Sequence, residues 1–300
     1  MTRVAKRLMQ VVLTVVVIVY AALILLANRS DSLIFQPQPS SYSDRSIPSP
    51  FQIVKLKSGS GEKQETITAV YLPNAAARYT LLMSHGNAED IGQNLDVYEE
   101  FARRGFAVFA YDYRGYGTSA GHPSEGGVYQ DEAAAWEYVT GKLGVDSRRV
   151  IVHGTSVGCG PAVELAWRLS QLDEARRPAA LVLVSPFTSA FTVLTRVRLL
   201  PWDKFDNERR IAKVKIPVLV VHGTNDEVIP FVHGTRVWRN AQPEGEQDAP
   251  LTRDGGKRHF WIKGAGHNNI FMVAAQAYFD AVERFAAELP DGAAKSESEK

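Results

Sequence analysis

Val150-Ile151-Val152-His153-Gly154-Thr155-Ser156-Val157-Gly158 is the stretch that decides the fold. It starts as an apolar run of strand character and ends in Gly-x-Ser-x-Gly, and residues 159–169 continue with helix-like composition. A serine on so tight a strand-to-helix turn forms a nucleophile elbow. Its backbone has to enter a strained region, and glycines two residues to either side leave room for the turn. The first amide of the new helix, that of Val157, then points at the oxygen of whatever carbonyl Ser156 attacks. The chemistry implied is acyl transfer. The pattern occurs a second time, as Gly117-Thr118-Ser119-Ala120-Gly121. Ser119 stands well past the strand-like run 106–111 and leads into His122-Pro123-Ser124, which reads as loop. Ser119 is therefore expected to be a turn residue near the site.

Strands and helices alternate on both sides of the elbow. Strand-like runs occupy 52–56 and 66–72, around the turn Ser58-Gly59-Ser60-Gly61, and then 79–84, 106–111, 150–153, 180–184, 217–221 and 259–262. Helical stretches are expected at 94–104, 131–143, 157–169 and 269–289; the last keeps Ile270, Val273, Ala277, Tyr278, Val282, Phe285 and Leu289 in helical spacing. Leu181-Val182-Leu183-Val184 and Val218-Leu219-Val220-Val221 are apolar throughout, as strands buried on both faces are. The fold class expected is α/β, with a mainly parallel central sheet covered by helices. Residues 186–213 read as a short lid, 242–257 as a mobile polar loop, and 290–300 as a disordered tail. The main domain spans 51–289.

Three hundred residues with 45% apolar content can bury one sizeable core. A net charge of +1 gives no sign of a nucleic-acid partner. The single cysteine, Cys159, rules out an intrachain disulfide and a Cys/His zinc set, and reads as a small packing residue. Residues 8–27 carry no charge and have the length of a bilayer-spanning helix. The basic N-terminus 1–7, with Arg3, Lys6 and Arg7, precedes them, so the positive-inside rule places the N-terminus in the cytoplasm and the domain periplasmic, lumenal or extracellular. A cleaved signal peptide is the rival, but its apolar region is shorter and Leu25-Leu26-Ala27 makes a poor cleavage site. Residues 28–50, rich in Ser and Pro, read as a linker.

Ser156 needs a base, and the base needs an orienting carboxylate. In α/β sheets such groups gather where strands end. Asp226, in His222-Gly223-Thr224-Asn225-Asp226, follows one strand, and His267, in Lys263-Gly264-Ala265-Gly266-His267, follows another. Asp226 could instead serve only an Asx turn, with Glu227 the neighbouring rival, and His267 could cap the last helix. His85, His153 and His222 precede glycines at strand ends and read as buried rings bonded to backbone, whereas His122, His233 and His259 read as surface or loop. An oxyanion hole needs two donors. The amide of Val157 is one, and the amide of Asn87, in the loop Ser84-His85-Gly86-Asn87-Ala88, is the candidate second. Asp112, beside Tyr113, Arg114 and Tyr116, reads as a structural turn satisfied by backbone or by Arg114. The arrangement calls for no metal and no cofactor.

The segments Ser84-His85-Gly86-Asn87-Ala88, Tyr111-Asp112-Tyr113-Arg114-Gly115-Tyr116-Gly117, Gly154-Thr155-Ser156-Val157-Gly158, Ser185-Pro186-Phe187, His222-Gly223-Thr224-Asn225-Asp226 and Gly266-His267-Asn268 together resemble the α/β-hydrolase superfamily. More closely, the chain is similar to the membrane-anchored α/β-hydrolase domain-containing proteins that include protein depalmitoylases. It departs from the depalmitoylases in having an apolar span where they carry a cysteine-rich N-terminus. The function expected is a membrane-anchored serine hydrolase cleaving ester or thioester bonds of a small molecule, lipid or acylated protein. A serine peptidase-like amide hydrolase and a catalytically silent binding protein on the same fold are the alternatives.

Overall fold

The computed structural model describes residues 2–61, 64–196, 202–241, 251–252 and 255–290. Two compact units divide the chain, residues 1–36 and 37–300. The first holds α1 (Arg3–Asn28) and the short α2 (Asp31–Ile34). Of α1, Arg3–Leu26 is 24 residues long and apolar enough to cross a membrane by length and composition.

The second unit is built on an eight-stranded sheet. Its strands are β1 (Gln52–Ser58), β2 (Glu65–Leu72), β3 (Thr80–Ser84), β4 (Ala107–Tyr111), β5 (Val150–Thr155), β6 (Ala180–Val184), β7 (Val218–Gly223) and β8 (Lys257–Ile262). They lie in the order β1-β2-β4-β3-β5-β6-β7-β8. Only β1 with β2 and β2 with β4 pair antiparallel; every other neighbour is parallel. The helices are α3 (Leu95–Arg103), α4 (Glu125–Glu137), α5 (Cys159–Leu169), α6 (Ala190–Thr195), α7 (Asn207–Ile211), α8 (Phe231–Asn240) and α9 (Ile270–Glu288).

Two-residue periodicity explains the layering. Leu81, Met83, Val108, Ala110, Ile151, Val182, Val184, Leu219 and Val221 share one core with Phe101 of α3 and Tyr278, Phe279, Val282 and Phe285 of α9. The intervening Leu82, Phe109, Val150, Val152, Leu181, Leu183, Val218 and Val220 are equally buried, so they face the other layer, to which α4, α5, α7 and α8 belong. A sheet covered on both faces has no room for alternating polarity. Arg104 ties α3 to α9 through Asp280 at 2.7 Å and Glu283 at 2.9 Å.

Two elements differ from the sequence expectation. α4 begins at Glu125 instead of residue 131, with the Ser124 side chain accepting the Gly127 amide, and it ends in a wider turn at Tyr138–Lys142. α8, between β7 and β8, was not foreseen. In the stretch read as a lid, residues 186–196 and 202–213 contain α6 and α7 and are pinned at Phe205, whose amide donates to Glu125 Oε1 at 2.7 Å and whose ring meets Phe187 and Tyr129, while 197–201 lie outside the described residues. Residues 242–250 and 253–254, in the stretch read as a mobile loop, and 291–300, in the stretch read as a tail, lie outside the described residues.

Candidate active site

β5 ends at Thr155, and Ser156 follows with φ +53°, the left-handed region that a side chain occupies only under constraint. Residues Ser156–Gly158 form one tight 3-10 turn before α5 starts at Cys159. Both flanking glycines are needed for space. A Cβ on Gly154 would stand 2.5 Å from the Gly158 carbonyl oxygen, and one on Gly158 would collide with the Ser84 carbonyl oxygen at the end of β3. Cys159 is fully buried, its thiol directed at the Gly154 and Val184 carbonyls at 3.2 and 3.4 Å, and burial pushes the thiol pKa far up. It packs at the ends of β5 and β6.

The three far-apart residues singled out from sequence meet here. Ser156 Oγ lies 3.0 Å from His267 Nε2, and His267 Nδ1 lies 2.8 Å from Asp226 Oδ2. Burial alone would raise the Asp226 pKa. Hydrogen bonds from His222 and His267, the charge on His267 and the Ile229 amide outweigh it, and the carboxyl is held well below the usual carboxylate range. An ionised carboxylate only accepts, so the ring proton facing it sits on Nδ1. Nε2 then faces the serine hydroxyl.

Asp226 also makes the Asx turn offered as its alternative, because Oδ1 accepts the amides of Val228 at 3.0 Å and Ile229 at 2.7 Å. The two roles use different oxygens. Glu227 is exposed and accepts the backbone amide of His267 at 3.3 Å, so it meets the main chain and not the ring. The sequence reading missed a fourth contributor, His222. Its Nε2 donates to the Ile229 carbonyl at 2.9 Å and lies 3.3 Å from Asp226 Oδ2. Its other nitrogen faces Gly234, where a Cβ would collide with it. The visible signal was the His-Gly pair at the end of β7, which identified a buried ring but not its neighbour.

Asn87 and Val157 come from adjacent strands. Ser84 on β3 pairs with Gly154 on β5, so the two following loops start side by side. The Asn87 side chain accepts the Tyr116 hydroxyl at 2.7 Å, and the Gly86 amide donates to Glu89 Oε2 at 2.9 Å. His85 Nδ1 donates to the Gly86 carbonyl at 2.8 Å, while Tyr113 donates to the His85 carbonyl at 2.7 Å. The Val157 amide opens the turn under Ser156, where a helix-type start leaves amides without partners along the chain.

The remaining candidates are structural. Ser119 Oγ accepts the Thr68 amide at 2.8 Å and donates to the Asp112 carbonyl at 2.9 Å. Asp112 is satisfied by the Ile91 amide at 2.9 Å and the Tyr42 hydroxyl at 2.5 Å; Arg114 does not reach it and pairs with Asp131 at 2.8 Å instead. His153 meets the Tyr278 hydroxyl at 2.7 Å, a side chain in place of the expected backbone, and burial holds its pKa down at about 4. His233, read as surface or loop, is buried in α8 with Nδ1 2.9 Å from Thr188 Oγ1.

A family described as serine aminopeptidase, S33 matches residues 75–202. Alpha/beta hydrolase domain-containing protein 17B of Xenopus laevis is 38% identical over 216 residues, which is 71% of this chain and 68% of that protein. Protein 17C of Mus musculus is 39% identical over 221 residues, 72% of this chain and 62% of its own. The Pyrococcus furiosus esterase Pf2001 superposes with a TM-score of 0.63 at 14% identity, over 85% of this chain and 98% of that one, a likeness of fold. Sequence kinship over 71% of the chain and a shared fold agree: the chain belongs to the α/β-hydrolase family.

Proposed function

We propose that this hydrolase is a membrane-anchored serine esterase or thioesterase working through an acyl-enzyme. The observation that carries the reading is the unbroken chain Asp226–His267–Ser156, with links of 2.8 and 3.0 Å. Ser156 Oγ attacks the acyl carbonyl as its proton passes to His267 Nε2. The amides of Val157 and Asn87 take up the developing oxyanion. The intermediate collapses, His267 gives the proton to the departing alcohol or thiol, and Ser156 is left acylated. Water, deprotonated by the same ring, then releases the acid. Asp226 stays ionised throughout and stabilises the imidazolium.

Apolar substrates are supported by where the second unit leaves large apolar side chains exposed. Leu194, Trp202, Val228, Val232, Phe271 and Met272 all follow β6, β7 or β8, parallel strands of which the last two lead to Asp226 and His267. A lipid or an acylated protein fits such a rim. α1 would hold the enzyme at a bilayer, with Arg3, Lys6 and Arg7 on the cytoplasmic side and the second unit across from them. An amide substrate is the second reading, favoured by the match to the serine aminopeptidase family.

Turnover of p-nitrophenyl esters of graded acyl length by wild-type protein and Ser156→Ala tests the proposal. Ester hydrolysis that rises with chain length and vanishes in Ser156→Ala is expected. Faster cleavage of the matching p-nitroanilides would favour the amide reading, and equal rates in the two proteins would remove both.

A further inference from the structure

Residues 41–44 run across the loop that carries the candidate oxyanion donor. The Ser41 amide donates to Asp90 Oδ2 at 2.7 Å, and the Ser41 hydroxyl donates to Oδ1 of the same carboxylate. Asp90 caps the 3-10 turn Ile91–Asn94, which directly follows the donor loop. Tyr42 is buried, and its hydroxyl donates to Asp112 Oδ2 at 2.5 Å. Asp44 accepts Thr118 at 3.1 Å and pairs with Lys55 at 2.8 Å. The bed under this strap is made of glycine. A Cβ on Gly92 would collide with the Ser41 hydroxyl and stand 2.8 Å from Tyr42 Cβ, and one on Gly117 would collide with Asp112.

Asp112 relays the strap to the donor loop. Its Oδ1 accepts the Ile91 amide at 2.9 Å and lies 3.4 Å from His85 Nε2. The other His85 nitrogen donates to the Gly86 carbonyl at 2.8 Å, and the ring is wedged between Tyr113 and Tyr116 at 4.4 and 5.5 Å. Burial would strip the proton from His85, but Asp112 and the Gly86 carbonyl outweigh it and hold the ring above the usual histidine range. One edge of the ring thus faces the Asp112 carboxylate while Nδ1 holds the Gly86 carbonyl. The Gly86 carbonyl and the Asn87 amide belong to one planar trans peptide and point opposite ways. Whatever holds the carbonyl therefore aims the amide.

We infer that Tyr42 is a positioning residue for the oxyanion donor: by holding Asp112 against His85, it keeps the Gly86–Asn87 peptide turned so that the Asn87 amide faces the acyl oxygen. The inference rests on the proposed ester hydrolysis. It makes the segment that enters the second unit a determinant of turnover as well as a connection.

Full-length Tyr42→Phe keeps the ring on its glycine bed and loses only the hydroxyl. Full-length Gly92→Ala displaces the strap from the other side. Both are to be measured for kcat and KM on a p-nitrophenyl ester, and for hydrogen exchange of the backbone at 84–92. Loss of a whole oxyanion donor costs about 10²- to 10³-fold in kcat, so a misaimed one should cost about tenfold, with KM unchanged and exchange at 84–92 faster. Wild-type kcat in both variants overturns the inference. A changed KM with intact kcat, or a kcat loss without faster exchange at 84–92, also overturns it. Wild-type protein no more active than Ser156→Ala would instead strike the proposed function, a result visible before either variant is made.

Discussion

Ser156 is held at φ +53°, a conformation its own side chain disfavours, by neighbours that leave the turn no other course. Its Gly-x-Ser-x-Gly context was legible because the strain demands glycine at two fixed offsets and a strand and helix on either side. Asp226 and His267 were legible for a different reason: each stands just beyond a strand, where a parallel sheet collects functional groups. His222 was not legible as a neighbour of Asp226, because its ring reaches the carboxylate only after the chain has folded back through Ile229. Asp226→Asn should reduce kcat by about 10³- to 10⁴-fold with little effect on KM, since a neutral amide no longer fixes the ring tautomer or offsets its charge. Steady-state kinetics at saturating ester checks this, and a loss under tenfold would contradict it. The depressed Asp226 pKa also sets a sign. The group stabilises the fold at pH above the ordinary aspartate value near 4, and that contribution is lost as pH falls further.

α4 shows how packing overrides local propensity. Gly126 and Gly127 in its first turn weaken the helix signal, so the sequence reading started the helix at 131. Gly127 is there because a Cβ would stand 2.6 Å from Arg114 Cδ. α8 was missed for a related reason, since Gly234, which makes room for His222, weakens its helix signal. α4 also buries Glu132, whose Oε2 accepts the Tyr111 hydroxyl at 2.6 Å and the Ser84 hydroxyl. Burial pushes this carboxyl up to about 7. Its folded value lies above its unfolded value, so the neutral form stabilises the protein fully below about pH 4.5, and this contribution declines until pH passes about 7. The decline is on the order of 3 kcal/mol, which corresponds to several degrees in thermal midpoint. Glu132→Gln, which cannot ionise, should have a visibly flatter midpoint between pH 5 and 7.5, measured by calorimetry. An unchanged slope would mean that Glu132 is ionised in the folded protein across this range.

The whole molecule was legible as a class and not in its long-range ties. β6 and residues 218–221 of β7, apolar at every position, forced a sheet covered on both faces. The bonds from Ser41 and Tyr42 to Asp90 and Asp112 span 49 and 70 residues, and composition alone marked residues 28–50 only as Ser- and Pro-rich. At this scale the topology is testable. With α1 across a bilayer and basic residues ahead of it, protease added outside intact cells or spheroplasts should digest the second unit, and full protection would reverse the orientation. The central claim is that Ser156, His267 and Asp226 act as one reacting unit. The most direct measurement is peptide mapping by mass spectrometry after treatment of the full-length protein with a fluorophosphonate. A single adduct on Ser156, absent from Ser156→Ala and strongly slowed in His267→Ala, is the predicted result. No adduct on wild-type protein, or an adduct on Ser119 in its place, would contradict it.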